Sequence, residues 1–451
     1  MAAVSSRKSL LLLALRDHIL VHDITHYTQV PKLRARLKPP ALAQGSDEIN
    51  ALTLDPSPQG EEILVAVYDS GMTIAWSLGD GFPVLWTRNN GISTWGCATS
   101  PATGMVATSA NSHKIHVLRP QQQSSSDDGA LQCQVECQDL EGHENNVPSV
   151  AFSEAGAYLA SASIDGTIRL WSLDRGEAIF CFRYTQWCWS VRFVCPYYFW
   201  PAAGTTERAN SSSGEESAFE EPLGSSDQAS ESSSQGDEAQ ERAGTHPVAR
   251  GLPALSIDHG HDVQNGYTAT SPTDSAGATD LADAAAGSLA GRGTGAVWPD
   301  GTSLLLLCST ERDLLLIDPE RPSAPIVDKI GRVVARTALA TLIEMMAFDR
   351  VTFLVWIPEL AIAVAGSLSG TAALVRLTSE LGCDPPRHRM RLLGRVPEEP
   401  PGCPLYGVSV YRQREESAHT ATVILYLIYL DGRIIAYELR SSLDATETYE
   451  E

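Results

Sequence analysis

One stretch, Gly142 to Leu173 (GHENNVPSVAFSEAGAYLASASIDGTIRLWSL), restricts what this chain can fold into more than any other part of it. Three apolar runs, Val147 to Phe152, Ala157 to Ser161 and Thr167 to Trp171, have strand length and are separated by turn residues. Between the second and third sits Asp165-Gly166, a dipeptide that supplies the positive φ angles a tight hairpin needs. Three short antiparallel strands joined this way make one blade of a β-propeller, provided that the pattern repeats.

The polar residues of the stretch follow a second rule. A sheet interior tolerates buried polar groups only when they satisfy one another. His143 precedes the strands, Ser161 lies in the middle one, Asp165 in the turn and Trp171 at the end of the third. This spacing resembles the WD-repeat family, in which the equivalent His, Ser or Thr, Asp and Trp form a hydrogen-bonded tetrad that locks blade geometry. Ser172 stands where that family usually has Asp after the Trp. A hydrolase triad of His143, Ser161 and Asp165 is the competing reading. It fails because a nucleophile needs an exposed elbow and Ser161 falls mid-strand.

Further apolar runs with turn signals extend the pattern. Residues 9 to 23 give two strands joined at Arg16-Asp17. Residues 50 to 78 give three, with Asp69-Ser70-Gly71 as the hairpin and Trp76 in the place of Trp171. Ser93 to Leu118 turns at Asn111-Ser112, and the reading puts His116 in the Trp position, a decayed tetrad. WSVRFVC, from Trp189, begins a fifth unit that resumes at SLLLLCSTERDLLLID, Ser303 to Asp318. The sixth spans about Asp349 to Leu377 with its turn at Ser369-Gly370, and the seventh Tyr406 to Leu439 with VILYLIYL and a turn at Asp431-Gly432. Seven hairpins predict an all-β, seven-bladed WD40-type β-propeller, at about 51 residues per unit once an insertion of about 95 is removed.

That insertion, residues 202 to 296, holds 15 acidic and 4 basic residues, −11 of the chain's net −22. It has few large apolar side chains, so it cannot bury enough surface to offset chain entropy and is expected to be disordered. The domain plan is therefore residues 1–201 (blades one to four and the start of five), 202–296 (acidic insertion), 297–440 (the rest of the propeller) and 441–451 (polar tail). Ring closure raises a difficulty, since propellers avoid free sheet edges by closing. Only Met1 to Ser6 precede the second strand of unit one, so unit one is expected to lack most of its innermost strand. The tail is too polar to complete unit seven. A shortened N-terminus and a weak seam between units seven and one are the expectation.

Net charge of −22 disfavours non-specific binding to nucleic acid or anionic membrane, which proceeds chiefly through Lys and Arg. LLLLAL after Arg7-Lys8 is shorter than a signal core and is followed by charged residues, and VILYLIYL is shorter than a membrane span, so both read as strands. The nine cysteines form no CxxC pair and read as reduced thiols of a nuclear or cytosolic protein. His18, His22 and His26 are four apart, but the first two fall in a strand, where they share a face without converging with the third, so no metal site and no cofactor are expected. The basic clusters Lys32 to Lys38 and Arg387 to Arg391 alternate with apolar residues, as a sheet edge would, and no element suited to reading a DNA groove is apparent.

A narrower resemblance rests on the segments RDHILVHDITHY, ARLKPP, INALTLDPSPQGEEILVAVYDSGMTIAW and LEGHENNVPSVAFSEAGAYLASASIDGTIRLW. Their order is similar to that in the fungal WD-repeat family of constitutive ribonucleotide-reductase transcription regulators. The resemblance implies a non-enzymatic nuclear scaffold, also present in the cytoplasm, that tunes deoxynucleotide-synthesis genes and the DNA-damage response through other proteins, as a monomeric propeller within a complex. The alternative is a substrate receptor of a cullin-type ubiquitin ligase. Such receptors often carry Trp-Asp-x-Arg at a blade's third strand, whereas this chain has Trp171-Ser172-Leu173-Asp174-Arg175. Enzymatic propellers need carboxylates and histidines on the innermost strands, and VPSVAF, WSVRFV and VTFLVW supply almost none.

Overall fold

The computed structural model describes residues 1–26, 31–39, 47–120, 135–202, 250–251, 304–333, 350–380, 386–399, 401–413 and 422–440. Seven sheets follow one another along the chain, antiparallel throughout except where Trp200–Pro201 adds a short parallel strand to the sixth. Blade one is β1 (Ala2–Ser5), β2 (Leu10–Leu15), β3 (His18–Asp23) and β4 (Lys32–Leu37). Blade two is β5 (Ile49–Pro56), β6 (Glu62–Tyr68), β7 (Met72–Ser77) and β8 (Val84–Asn89). Blade three is β9 (Thr94–Thr99), β10 (Val106–Ala110), β11 (Ile115–Pro120) and β12 (Val135–Leu140). Blade four is β13 (Ser149–Phe152), β14 (Tyr158–Ala162), β15 (Thr167–Ser172) and β16 (Glu177–Arg183). Blade five opens with β17 (Cys188–Val194). After two short strands, β18 (Trp200–Pro201) and β19 (Arg250–Gly251), it continues with β20 (Leu305–Thr310), β21 (Leu314–Ile317) and β22 (Ile326–Ile330). Blade six is β23 (Val351–Ile357), β24 (Ile362–Ser367), β25 (Ala372–Glu380) and β26 (Arg387–Val396). Blade seven is β27 (Leu405–Arg412), β28 (Thr422–Tyr429) and β29 (Ile434–Arg440). All seven expected hairpins are present.

Burial explains which runs are continuous and which alternate. The middle strands meet a neighbouring blade on both faces, so β2 (LLLLAL) is buried through its first five residues and β28 (TVILYLIY) throughout. Outer strands have one solvated face, and in β8 and β16 buried side chains are sparse. The basic clusters fall on outer strands, β4 and β26, where their charges reach water.

The first strand of each blade packs against the first strand of the next, from β1 through β5, β9, β13, β17, β23 and β27 and back to β1. Seven apolar clusters fill the seven blade interfaces. Burial of one Leu, Ile or Val contributes about 1.5–3 kcal/mol, so these layers dominate the stability of the ring.

Two expectations are corrected here. Blade one does have its innermost strand: β1 pairs residue for residue with β2, from Ala2 opposite Leu13 to Ser5 opposite Leu10. The seam between blades seven and one is packed like the others, with Leu11, Leu13 and Leu20 of blade one against Ile424, Tyr426 and Ile428 of blade seven. Blade seven gains its fourth strand from the expected insertion: β19 pairs with β29, Arg250 opposite Glu438 and Gly251 opposite Tyr437. The expected disorder of residues 202–296 otherwise falls outside the described residues, apart from Ala202, as does the tail 441–451.

Gly166 shows how turn chemistry fixes a blade. Its φ is +79°, and a Cβ there would stand 2.8 Å from the Tyr184 carbonyl oxygen of the neighbouring strand connection. Gly166→Val is expected to cost about 1–3 kcal/mol in unfolding free energy, read by urea titration. A neutral result would mean that the turn relaxes freely.

Candidate functional site

The structure brings His143, Ser161, Asp165 and Trp171 into one buried chain of hydrogen bonds. Trp171 Nε1 donates to Ser161 Oγ at 2.8 Å, Ser161 Oγ lies 2.7 Å from His143 Nε2, and His143 Nδ1 lies 3.0 Å from Asp165 Oδ2. The direction of every proton follows from the two ends. An indole N–H only donates and a carboxylate only accepts, so Nδ1 carries the proton that Asp165 accepts, and with the imidazole neutral Ser161 donates to Nε2. Asp165 also receives Thr167 Oγ1 at 2.6 Å and the Glu144 N–H at 2.9 Å. The His143 and Trp171 rings meet edge to face with centroids 6.0 Å apart. All capacity in this group is spent internally, so it braces the blade and offers no nucleophile to solvent.

The same environment sets protonation. Burial lowers the His143 pKa, outweighing the hydrogen bond to Asp165, which acts to raise it. Burial alone would raise the Asp165 carboxyl, but the hydrogen bonds from His143, Thr167 and Glu144 hold it well below the usual carboxylate range. His143 is therefore neutral in the fold while the unfolded chain takes up a proton near pH 6.5, so stability falls as pH drops through that value. Wild type is expected to lose more stability than His143→Ala between pH 7 and 5, as read from urea midpoints. Equal losses would remove His143 from the pH dependence.

Strand register shows why one blade carries the full tetrad. In blade four Trp171 lies opposite Leu159 and Arg169 opposite Ser161. In blade three the equivalent pairs are Leu118 opposite Val106 and His116 opposite Thr108. The Trp position of blade three is thus Leu118, and His116 corresponds to Arg169. The error arises because the turn of blade three closes through His113, at φ +63°, two residues beyond Asn111. A remnant survives there: Asn90, placed like His143, donates to Thr108 Oγ1 at 3.3 Å. In blade two Trp76 is buried opposite Leu64, but Ala66 replaces the serine.

The remaining turn residues act locally. Asp69 accepts from Ser93 Oγ at 2.6 Å, tying the blade-two turn to blade three, and Gly71 adopts φ +90° with its N–H on the Tyr68 carbonyl. Asp431 accepts the Arg433 N–H at 3.1 Å and its guanidinium at 2.6 Å, and Gly432 sits at φ +85°. Of the three spaced histidines, His18 bonds Asp17 at 2.9 Å, His22 is buried and His26 is exposed, with no convergence. In the Trp171 to Arg175 stretch, Ser172 and Leu173 are buried, while Asp174 and Arg175 are exposed.

Two polar groups escaped sequence reading. In blade five, buried Asp313 accepts Tyr184 Oη at 2.8 Å, Gln186 Nε2 at 3.0 Å, Lys329 Nζ at 2.9 Å and the Arg332 N–H at 3.2 Å. It replaces the tetrad by pinning the connection between blades four and five to the β20–β21 turn. No fixed spacing announces it, since its partners come from two separate segments, residues 184–186 and 329–332. The second group lines the centre, on the innermost strands. Asp55 accepts Thr53 Oγ1 at 3.2 Å and Thr99 Oγ1, and Arg192 donates to the Val191 carbonyl at 2.7 Å and, at 3.5 Å, to Ser149. Burial raises the Asp55 pKa and pushes the Cys97 thiol up to about 12, so Cys97 is no nucleophile near neutral pH.

At the end of the ring that carries the tetrad, the connection into β17 exposes half of Trp187, whose ring meets Trp189 edge to face at 6.3 Å. The Arg350 guanidinium, just before β23, lies 3.9 Å over Trp189. Trp187 is thus exposed at this end of the ring, above a buried Trp189 and a partly buried Arg350 that join blades five and six.

Comparison with known proteins agrees with this geometry. Residues 134–172 match the family described as WD domain, G-beta repeat. A WD40 repeat-containing protein of Dictyostelium discoideum is 35% identical over 136 residues, covering 30% of this chain and 19% of that protein. An uncharacterized WD repeat-containing protein of Schizosaccharomyces pombe is 33% identical over 106 residues, covering 23% and 22%. The aligned part thus spans only about a fifth of either relative. A chain in the crystal structure of a mitotic checkpoint complex superposes with a TM-score of 0.53 at 10% identity, over 97% of this chain and 86% of that one, a likeness of fold alone. The sequence matches are thus to WD repeats over part of the chain, and the superposition is with a propeller-like fold over most of it. The family match covers the one blade with an intact tetrad, while elsewhere the propeller is retained with different side chains.

Proposed function

We propose that this chain is a non-enzymatic protein-interaction scaffold acting in the nucleus on transcription of ribonucleotide-reductase genes and the DNA-damage response. The scaffold part rests on one observation: blade packing uses both faces of the middle strands, leaving the loops at the two ends of the ring to meet partners, and one end exposes Trp187, held edge to face by the buried Trp189 beneath it. Aromatic side chains of this kind dominate interface energetics. The transcriptional part is supported by the order of the front segments, from RDHILVHDITHY to TIRLW, which is similar to that of the fungal regulators. Direct reading of DNA is disfavoured by the net charge of −22.

Affinity purification of tagged wild type and Trp187→Ala from nuclear extract, with mass spectrometry, tests the scaffold. Transcriptional regulators retained by wild type and depleted with Trp187→Ala support the reading. A cullin with its adaptor recovered instead moves the protein to the ligase alternative. Unchanged ribonucleotide-reductase transcripts in cells lacking the protein, with and without DNA damage, sink the transcriptional part.

A further inference from the structure

The register that displaces His116 from the Trp position also gives it new neighbours. His116 of β11 stands directly opposite Asp139 of β12, and Cys137 lies two residues from Asp139, hence on the same face of the strand. That face is the one turned to blade two, where Leu118 and Val135 pack with Trp86. The three side chains therefore gather at the mouth of the groove between blades two and three. His116 Nδ1 is 2.8 Å from Asp139 Oδ1, Cys137 Sγ is 3.4 Å from the same oxygen and 3.9 Å from His116 Nδ1. Among the described residues this is the one group of three such donors close enough to share an ion.

We propose that His116, Cys137 and Asp139 bind one divalent cation of the zinc type. Zinc bonds of about 2.0–2.3 Å to nitrogen, sulfur and oxygen in a tetrahedral arrangement separate the donors by roughly 3.2–3.7 Å. The observed separations need adjustments of about half an ångström to match, within the reach of ordinary side-chain torsions. One imidazole, one thiolate and one carboxylate form a mixed set that suits zinc better than calcium or magnesium, which take oxygen ligands. Their combined charge of −2, when the imidazole is neutral and the thiol has lost its proton, balances the ion. Cys137 is exposed and Asp139 partly so, which leaves the fourth position to water. Nearby cations do not occupy the group: Lys114 is paired with Glu141 at 2.6 Å, and Arg88 of β8 influences Cys137 only through its charge. The ion clamps β11 to β12 on the side of blade three where the tetrad has decayed.

Cobalt(II) serves as the probe, because a thiolate ligand gives it a near-ultraviolet charge-transfer band and tetrahedral coordination gives strong visible bands. Full-length protein freed of metal by a chelator is expected to take up one equivalent with both signals, and added zinc should abolish them. Cys137→Ser should remove the thiolate band, and Asp139→Asn should weaken cobalt affinity at least tenfold, a loss of the size seen when metal-site groups are altered. Both variants are near-isosteric and lie at the surface, and metal-free thermal unfolding checks that each still folds. Either one folded is enough for the test. No thiolate band in wild type, or bands of equal strength and affinity in the variants, overturns the proposal.

Discussion

Trp171→Ala is expected to lower the unfolding free energy by about 3–5 kcal/mol, the range for deleting a large buried aromatic side chain. Trp171 is 1% exposed and packs between blades three and four against Met105, Ala107, Val147, Val150 and Leu159, so a cavity opens in the inter-blade layer. The substitution also removes the indole donor to Ser161, leaving the buried hydroxyl with His143 alone. Trp171→Phe keeps most of the volume, so it is expected to cost less, about 1–2 kcal/mol from the lost hydrogen bond and the smaller cavity. Equilibrium urea unfolding of the three proteins is the measurement. A loss below about 1 kcal/mol for the alanine variant would mean that blade four does not depend on its tetrad.

Leu11→Ala is expected to cost about 2–5 kcal/mol, the range for a fully buried leucine. Leu11 has no exposed surface and sits in the layer formed by Leu13, Leu20, Ile424, Tyr426 and Ile428, where the last blade meets the first. A weak seam predicts a loss well under 1 kcal/mol, since poorly packed sites relax around a missing side chain. The packed seam predicts a penalty as large as at Leu170, which is equally buried between blades four and five. Comparison of the two alanine variants by urea unfolding decides whether the ring closes as firmly where the chain ends meet as elsewhere.

Blade four was legible residue by residue because its strands, turn and tetrad lie within one short segment, where spacing translates directly into geometry. The middle strands of the other blades were legible as apolar runs, since both of their faces must be buried. Blade-one closure was misread because β1 is four residues long and too short to carry a pattern. The fourth strand of blade seven was missed because β19 reaches β29 from almost two hundred residues away in sequence, and two residues, Arg250–Gly251, hold no periodicity.

The sequence by itself determined the class of fold and the number of blades, because a strand period, a hairpin turn and their repetition are local properties of a chain. It also determined the internal bracing of blade four, whose hydrogen-bonding side chains come in a fixed order. Tertiary structure alone decided the rest: that Leu118 and not His116 fills the Trp position, that Asp313 gathers partners from two separate segments, that Arg192 and Asp55 share the centre of the ring, and that His116, Cys137 and Asp139 meet on one face. These depend on strand register, and a one-residue change of register moves a side chain to the opposite face of its sheet. Register is set by turn geometry and by packing against the neighbouring blade, neither of which is written in the spacing of residues along a single strand.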